Sequence, residues 1–287
     1  MAVSYDGSSV KFYKNGSLVK TVAQTVSGAG NAQPFSIARA GGYSGFYFNG
    51  ELSGVRIYGS ALSAGDVSSL YNSEKQGFSV PYPVGWWPLN DSAGSAVAKD
   101  YSGNGNDGAL LNSPAFSGSY LTLNGANQAV QAADSSFWNS KSMSGMLWVK
   151  YSSVTDNVFI EHQNGAAPGV GFRFNYVPGS GLVFSPDPVG SHDIVKPWTP
   201  SANTWYHLAF VRDGLGKTTD LFVNGASLGK VSSPYDIASV NGVLNLGRDW
   251  SGGFFNGAMT RVRFYNASLA ANDVAAVYSQ EASTMPP

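Results

Sequence analysis

Two short stretches of this chain carry side chains that could do chemistry. The first is Asp100-Tyr101-Ser102-Gly103-Asn104-Gly105-Asn106-Asp107, which crowds carboxylates, amides and loop carbonyls together. Calcium takes roughly six to eight hard oxygens, so this loop is the strongest metal candidate, with Asp100 and Asn104 as side-chain ligands of a structural Ca²⁺. The competing reading is an Asx-turn loop in which the same two residues cap their own backbone. The second stretch, Arg248-Asp249-Trp250-Ser251-Gly252-Gly253, joins charge, an aromatic face and flexible backbone at a strand end. A sugar needs a plane to stack on and polar groups around it, so Arg248, Asp249 and Trp250 are candidate glycan contacts. The alternative is an aromatic folded over a rim. Trp86, Trp87, Trp148 and Trp205 fall in strand patterns and read as core, whereas Trp138 and Trp198, like Trp250, fall near loops.

Catalytic constellations are sparse. Retaining glycoside hydrolysis needs two carboxyl groups about 5 Å apart. Of the glutamates Glu51, Glu74, Glu161 and Glu281, only Glu161 sits in a central strand pattern, with Gln163 at i+2 and Ala166 at i+5 where acids would be wanted. Asp187 and Asp193 lie in a stretch between Pro186 and Pro197 that reads as a surface loop. His162, His192 and His207 have no metal-ligand spacing, and there is neither a Gly-x-Ser-x-Gly elbow nor a phosphate loop. No enzymatic activity is expected.

Composition narrows the partners. With 43% hydrophobic and only 12% charged residues in 287, the chain can bury a real core. A net charge of −1 without a basic stripe argues against nucleic acid. There are no cysteines, hence no disulfides or thiolate metal sites. No apolar run approaches the length of a membrane-spanning helix, so no membrane insertion is expected.

The elements that must position these residues are short strands. Tyr120-Leu121-Thr122-Leu123, Gly171-Phe172-Arg173-Phe174-Asn175 and Thr260-Arg261-Val262-Arg263-Phe264 alternate with period two, as half-buried antiparallel strands do. Met146-Leu147-Trp148-Val149 is continuously apolar and reads as a strand buried on both faces. Asp6-Gly7, Asn15-Gly16, Asn124-Gly125, Asp213-Gly214 and Asn224-Gly225 mark turns. Helix is expected only over 64–71, where Ser63 and Asp66 have capping-box spacing, and over 271–278.

The chain also repeats itself. Val55-Arg56-Ile57-Tyr58 returns as Val262-Arg263-Phe264-Tyr265, Phe48-Asn49-Gly50 as Phe255-Asn256-Gly257, and Asp6-Gly7 as Asp213-Gly214, all at one offset of 207 (262 less 55, 255 less 48, 213 less 6). At that offset Tyr43 matches Trp250 and becomes a fourth candidate ligand contact. The repeat divides the chain into a partial module over 1–76, a Pro-bearing linker over 77–84, a complete module over 85–279 and a tail over 280–287.

In order, Val84-Gly85-Trp86-Trp87-Pro88-Leu89, the Asp100-x-Ser102-Gly103-Asn104-Gly105-Asn106 loop, Met146-Leu147-Trp148-Val149-Lys150, Trp205-Tyr206-His207, Leu221-Phe222-Val223-Asn224-Gly225 and the closing 262–278 segment resemble the laminin G-like members of the concanavalin A-like lectin/glucanase superfamily. Residues 2–71 resemble only the last part of that family. The resemblance implies an all-β fold, a two-sheet antiparallel jelly-roll sandwich, with one complete module preceded by a partial one. It also implies a structural Ca²⁺ at the 100–107 loop and a structural role for His207. The expected function is a non-catalytic recognition or adhesion module, carbohydrate-binding, in a larger extracellular or virion-surface protein. A capsid, fibre or surface-layer building block is the alternative, and a glycoside hydrolase the third. Partners would be a glycan or a surface protein. The partial module is read as a piece of a longer protein, as completed by a protein partner or neighbouring subunit, or as an abbreviated domain.

Overall fold

A computed structural model describes residues 1–25, 35–38, 47–48, 55–74, 80–155, 157–164, 171–187 and 192–286. They form two compact units, Met1–Phe78 and Ser79–Pro287.

The first unit holds β1 (Ala2–Tyr5), β2 (Ser9–Lys14) and β3 (Ser17–Ala23), an antiparallel sheet in that order, and the helix α1 (Ala64–Glu74). Asn15 and Gly16 both adopt positive φ (52° and 75°), which closes the β2–β3 hairpin. The capping box at α1 forms as its spacing predicts: the Asp66 backbone N–H donates to Ser63 Oγ, and the Ser63 N–H donates to Asp66 Oδ2.

The second unit contains β4 (Gly85–Trp87), β5 (Val97–Ala98), β6 (Gly108–Leu111), β7 (Ala115–Phe116), β8 (Leu121–Asn124), β9 (Ala129–Ala132), β10 (Met143–Tyr151), β11 (Asn157–His162), β12 (Phe172–Val177) and β13 (Gly181–Ser185). It continues with β14 (Ile194–Lys196), β15 (Trp205–Asp213), β16 (Thr218–Val223), β17 (Ala226–Ser227), β18 (Val231–Ser232), β19 (Leu244–Leu246), β20 (Asn256–Tyr265) and the helix α2 (Ala271–Ala282). A nine-stranded sheet runs β17-β16-β15-β10-β20-β8-β7, with β18 beside β16 and β4 beside β20. An eight-stranded sheet runs β14-β13-β12-β11-β19-β9-β6-β5. Every pairing is antiparallel, so the unit is the expected all-β jelly-roll sandwich.

The core follows from the alternation. Leu147, Leu208, Phe210 and Phe264 from one sheet meet Phe159, Phe172, Phe174 and Phe184 from the other. Phe184 stacks on Phe210 with ring centroids 4.7 Å apart. Gly145 is required here, because a Cβ at that position would lie 2.4 Å from the Phe210 ring. The continuous apolar run in β10 is explained by a second cluster on the outer side of the nine-stranded sheet. There Met146, Ala209, Val211, Phe222 and Tyr265 pack against Leu269, Val274 and Val277 of the closing segment. Buried on both faces, β10 cannot alternate.

Three expectations need correcting. Both helices run further than the sequence indicates, to Glu74 and Ala282. The alternation of Thr260–Phe264 is interrupted, since Arg261 takes positive φ (52°) where the β10–β20 register shifts. The tail over 280–287 is partly structural: Glu281 is buried, accepts a 2.8 Å hydrogen bond from Trp148 Nε1 and pairs with Arg263 at 2.6 Å. Tyr278 stacks on Trp148 beside it. Removing that carboxylate leaves a buried indole N–H and a guanidinium short of partners. Glu281→Ala should therefore cost on the order of 3 kcal/mol in urea unfolding followed by tryptophan fluorescence. Glu281→Gln, which keeps an acceptor for Trp148, should cost about half as much.

Candidate functional site

The strand register of the eight-stranded sheet lines up one row of outward-facing side chains. Gln131 of β9 pairs with Asn245 of β19, Asn245 with Glu161 of β11, Glu161 with Arg173 of β12, and Arg173 with Ser185 of β13. Their strand neighbours Leu244, Leu246, Phe172, Phe174 and Phe184 point the other way, into the core. Five consecutive polar residues across one sheet face, most of them buried, is not a packing solution for a plain sandwich. Gln131 Nε2 donates to Asn245 Oδ1 at 2.8 Å, and Ser185 Oγ donates to Asp193 Oδ1. Among the described residues, Glu161 Oε1, Arg173 Nε and the neighbouring Asn175 Oδ1 are buried without a hydrogen-bond partner.

The 248–253 loop closes over this row. Its backbone N–H at Trp250 donates to Glu161 Oε2 at 2.7 Å. Asp249 Oδ1 accepts from the Gly253 N–H and the Ser251 hydroxyl, which fixes the turn, and Asp249 Oδ2 lies 4.0 Å from Arg173. Arg248 Nε donates to the Asp249 carbonyl and its guanidinium lies over the Phe254 ring. Trp250 itself remains 49% exposed. Arg248, Asp249 and Trp250 are thus brought together, and they meet Glu161 and Arg173, which sequence reasoning did not group with them. Tyr43 lies outside the described residues. Of the other loop tryptophans, Trp138 is core and Trp198 packs against Tyr151, Tyr176 and Tyr206.

Burial pushes the Glu161 carboxyl up to about 7; the Trp250 N–H pulls it down, the Asp249 charge raises it, and Arg173 and Arg248 lower it again. His207 is fully buried between the Trp148 and Tyr278 rings, and burial, with Arg263 nearby, drops its pKa to about 3. It stands apart from the polar row, a core residue whose backbone bonds Asn224.

In the 100–107 loop the Asp100 carboxylate is held by hydrogen bonds from its own surroundings. Asp100 Oδ1 accepts from the Trp86 and Ser102 N–H groups, and Oδ2 from the Ser102 hydroxyl and the Asn106 N–H. Asn104 Nδ2 donates to the Val84 carbonyl. Donors engage both Asp100 carboxylate oxygens, and they clasp the loop to β4, the Asx-turn alternative. Among the described residues no three His, Asp or Glu side chains are grouped to hold a metal.

Two outcomes follow. Asp100→Ala should lower stability by about 3 kcal/mol through the lost buried bonds, with the melting temperature indifferent to calcium or chelator. A chelator-dependent shift in the unmutated chain would restore the calcium reading. For Glu161, the folded pKa lies above the ordinary value, so its contribution is complete below about pH 4.5 and lost as pH rises through about 7. Glu161→Gln should remove that loss and exceed the parent in stability above pH 7, by up to about 3 kcal/mol. The buried histidines titrate alike in both proteins and cancel from the comparison; equal slopes of stability against pH between about 4.5 and 7 would refute the assignment.

Comparison with known proteins agrees with this geometry at the level of fold. Domain 4 of an extracellular GH43 arabinanase from Geobacillus stearothermophilus, solved with arabinotriose, superposes with a TM-score of 0.51 at 19% identity, over 67% of this chain and 96% of that one. A Trypanosoma rangeli sialidase with sialic acid gives 0.55 at 14% identity, over 72% of this chain and 35% of the sialidase. A botulinum neurotoxin serotype D/C binding domain gives 0.52 at 12%, over 69% and 52%. The chain thus spans about a third of the sialidase and half of the toxin domain. No curated protein is similar enough in sequence to count as a relative. A laminin G-like family profile, described as the concanavalin A-like lectin/glucanases superfamily, matches residues 1–68 and 124–275. The chain belongs to that superfamily.

Proposed function

We propose that the second unit is a carbohydrate-recognition module that binds a neutral, hydroxyl-rich glycan on the outer face of the eight-stranded sheet, against Trp250. The observation that carries this reading is the cross-strand row itself, with buried polar atoms of Glu161, Arg173 and Asn175 left unpaired beside a half-exposed indole. Sugar hydroxyls both donate and accept, which such a mixed set requires, and the indole face supplies a stacking plane. Asp249 and, above about pH 7, Glu161 offset the two bases Arg173 and Arg248, so at those pH values charge does not select an anionic sugar. The arabinanase domain, solved with arabinotriose, makes a glycan the natural first class to test, and its extracellular origin supports an extracellular setting for this chain.

Binding is preferred to hydrolysis because both carboxylates serve as anchors. Glu161 holds the Trp250 backbone, and Asp249 holds its own turn. A second role, contact with a protein partner on a cell or virion surface, is favoured by the first unit, where Val3, Phe12, Leu18, Val19 and Ile57 are exposed.

Glycan-array binding by the full chain tests the proposal. Trp250→Ala should weaken binding at least tenfold, and Arg173→Ala comparably, while circular dichroism and melting of Trp250→Ala remain unchanged. A blank array from folded protein, or reducing sugar released from the bound glycan and lost in Glu161→Gln, would overturn it.

A further inference from the structure

Along one edge of β20 two strands meet end to end. β8 pairs with it as far as Met259, opposite Leu121, and β4 takes over from Val262, opposite Trp87. Thr260 and Arg261 fall in the break between them. Single bonds bridge the break in place of a ladder. The Arg261 N–H donates to the Pro88 carbonyl at 3.1 Å, and the Thr260 hydroxyl proton is shared between the carbonyls of Pro88 (2.7 Å) and Ser119 (3.0 Å). The break opens into a pocket of about 340 Å³, bordered by Pro88, Asn90, Ser119, Arg261, Thr284 and Pro286. That volume is at the small end of the roughly 300–1,000 Å³ typical of ligand sites.

We propose that this pocket binds a small polyhydroxylated carboxylate, the size of one sugar-acid unit, with Arg261 as its anion contact. The pocket belongs to the nine-stranded sheet, whereas Glu161 and Arg173 below Trp250 belong to the eight-stranded one. The proposal therefore stands apart from the glycan reading above.

The backbone is strained on both sides of the pocket. Arg261 and Leu89 take φ of 52° and 54°, a left-handed conformation that long side chains rarely adopt. At Leu89 the turn keeps the side chain in the core and carries the next residue, Asn90, to the pocket wall. At Arg261 it accompanies the register shift between β10 and β20, and a bulge of that kind re-aims a side chain. Strained backbone of this sort collects at ligand clamps. The re-aimed guanidinium reaches the end of α2, where Nη1 donates to the Glu281 carbonyl at 3.0 Å and Nη2 to the Thr284 carbonyl at 2.9 Å.

Charge and donor count define the ligand. Arg261 is the one charged residue lining the pocket. The acids that pair with neighbouring arginines, Asp249 and Glu281, go to Arg173 and Arg263. The two carbonyl bonds use two of the five N–H groups of Arg261. Nε and Nη2 share one edge of the planar fork, and such an edge takes a carboxylate through two parallel bonds. Because two carbonyls already hold the guanidinium, binding costs it little further rotamer freedom. Asn90, Ser119 and Thr284 bring amide and hydroxyl groups to the wall for ligand hydroxyls, and Pro88 and Pro286 bring apolar ring faces.

Isothermal titration of the full chain with sodium galacturonate tests the assignment, with galactose, acetate and inorganic sulfate as comparison ligands. Galacturonate should bind saturably and at least tenfold more tightly than any of the three. Arg261→Gly, which suits the positive φ, should abolish that binding. Since this change also releases the turn at 281–284, a second variant acts at the exposed rim: Asn90→Trp should weaken binding at least tenfold with circular dichroism and melting temperature unchanged. Trp250→Ala should bind galacturonate as the parent does, whatever its effect on the glycan array. Absence of saturable binding, galactose or sulfate bound as tightly as galacturonate, full binding retained by Arg261→Gly or Asn90→Trp, or binding lost in Trp250→Ala would each overturn the proposal.

Discussion

A strand buried on both faces must find an apolar layer on each side at once, and β10 is that strand. Its odd-numbered side chains face the sandwich core, and on the other side Ser144, Met146 and Trp148 meet the closing segment 267–281. Its edges pair with β15 and β20, so a single segment joins both halves of the nine-stranded sheet to both layers. The closing helix is held by the same strand, through Trp148 to Glu281 and Tyr278. In the first unit Val55–Tyr58 is extended without strand assignment, and Val55, Ile57 and Tyr58 are exposed.

The polar row on the other sheet is positioned by the same core from a distance. Phe172, Phe174 and Phe184 fix the pleat of β12 and β13, and the pleat sends Arg173, Asn175 and Ser185 outward. Once Glu161 is fixed in β11, its carboxylate sets the 248–253 loop through the Trp250 N–H. The indole is therefore held by its backbone while its ring stays accessible, an arrangement that costs little ordering entropy on binding.

Much of the architecture was legible in the sequence. Period-two runs, Asn-Gly turns, the Ser63–Asp66 box and the repeat at one offset all express local geometry, which neighbouring residues dictate. The candidate loop 248–253 was legible for the same reason. Its partner Glu161 was visible only as a strand glutamate lacking acids at i+2 and i+5, a test for one catalytic pattern that says nothing about cross-strand neighbours. The 100–107 loop shows the converse limit. Its composition suits a cation, yet the donors that fill Asp100 come partly from Trp86, 14 residues earlier. Composition records which oxygens are present and not which are already engaged.

The sequence by itself determined the elements and their alternation, because each of these is set by residues within a turn or two of one another. Tertiary structure decided which polar side chains share a face. Glu161 and the Trp250 N–H are 89 residues apart in the chain and 2.7 Å apart in space. Strand register and sheet order brought them together, and those depend on how the two apolar layers close over one another rather than on any local signal.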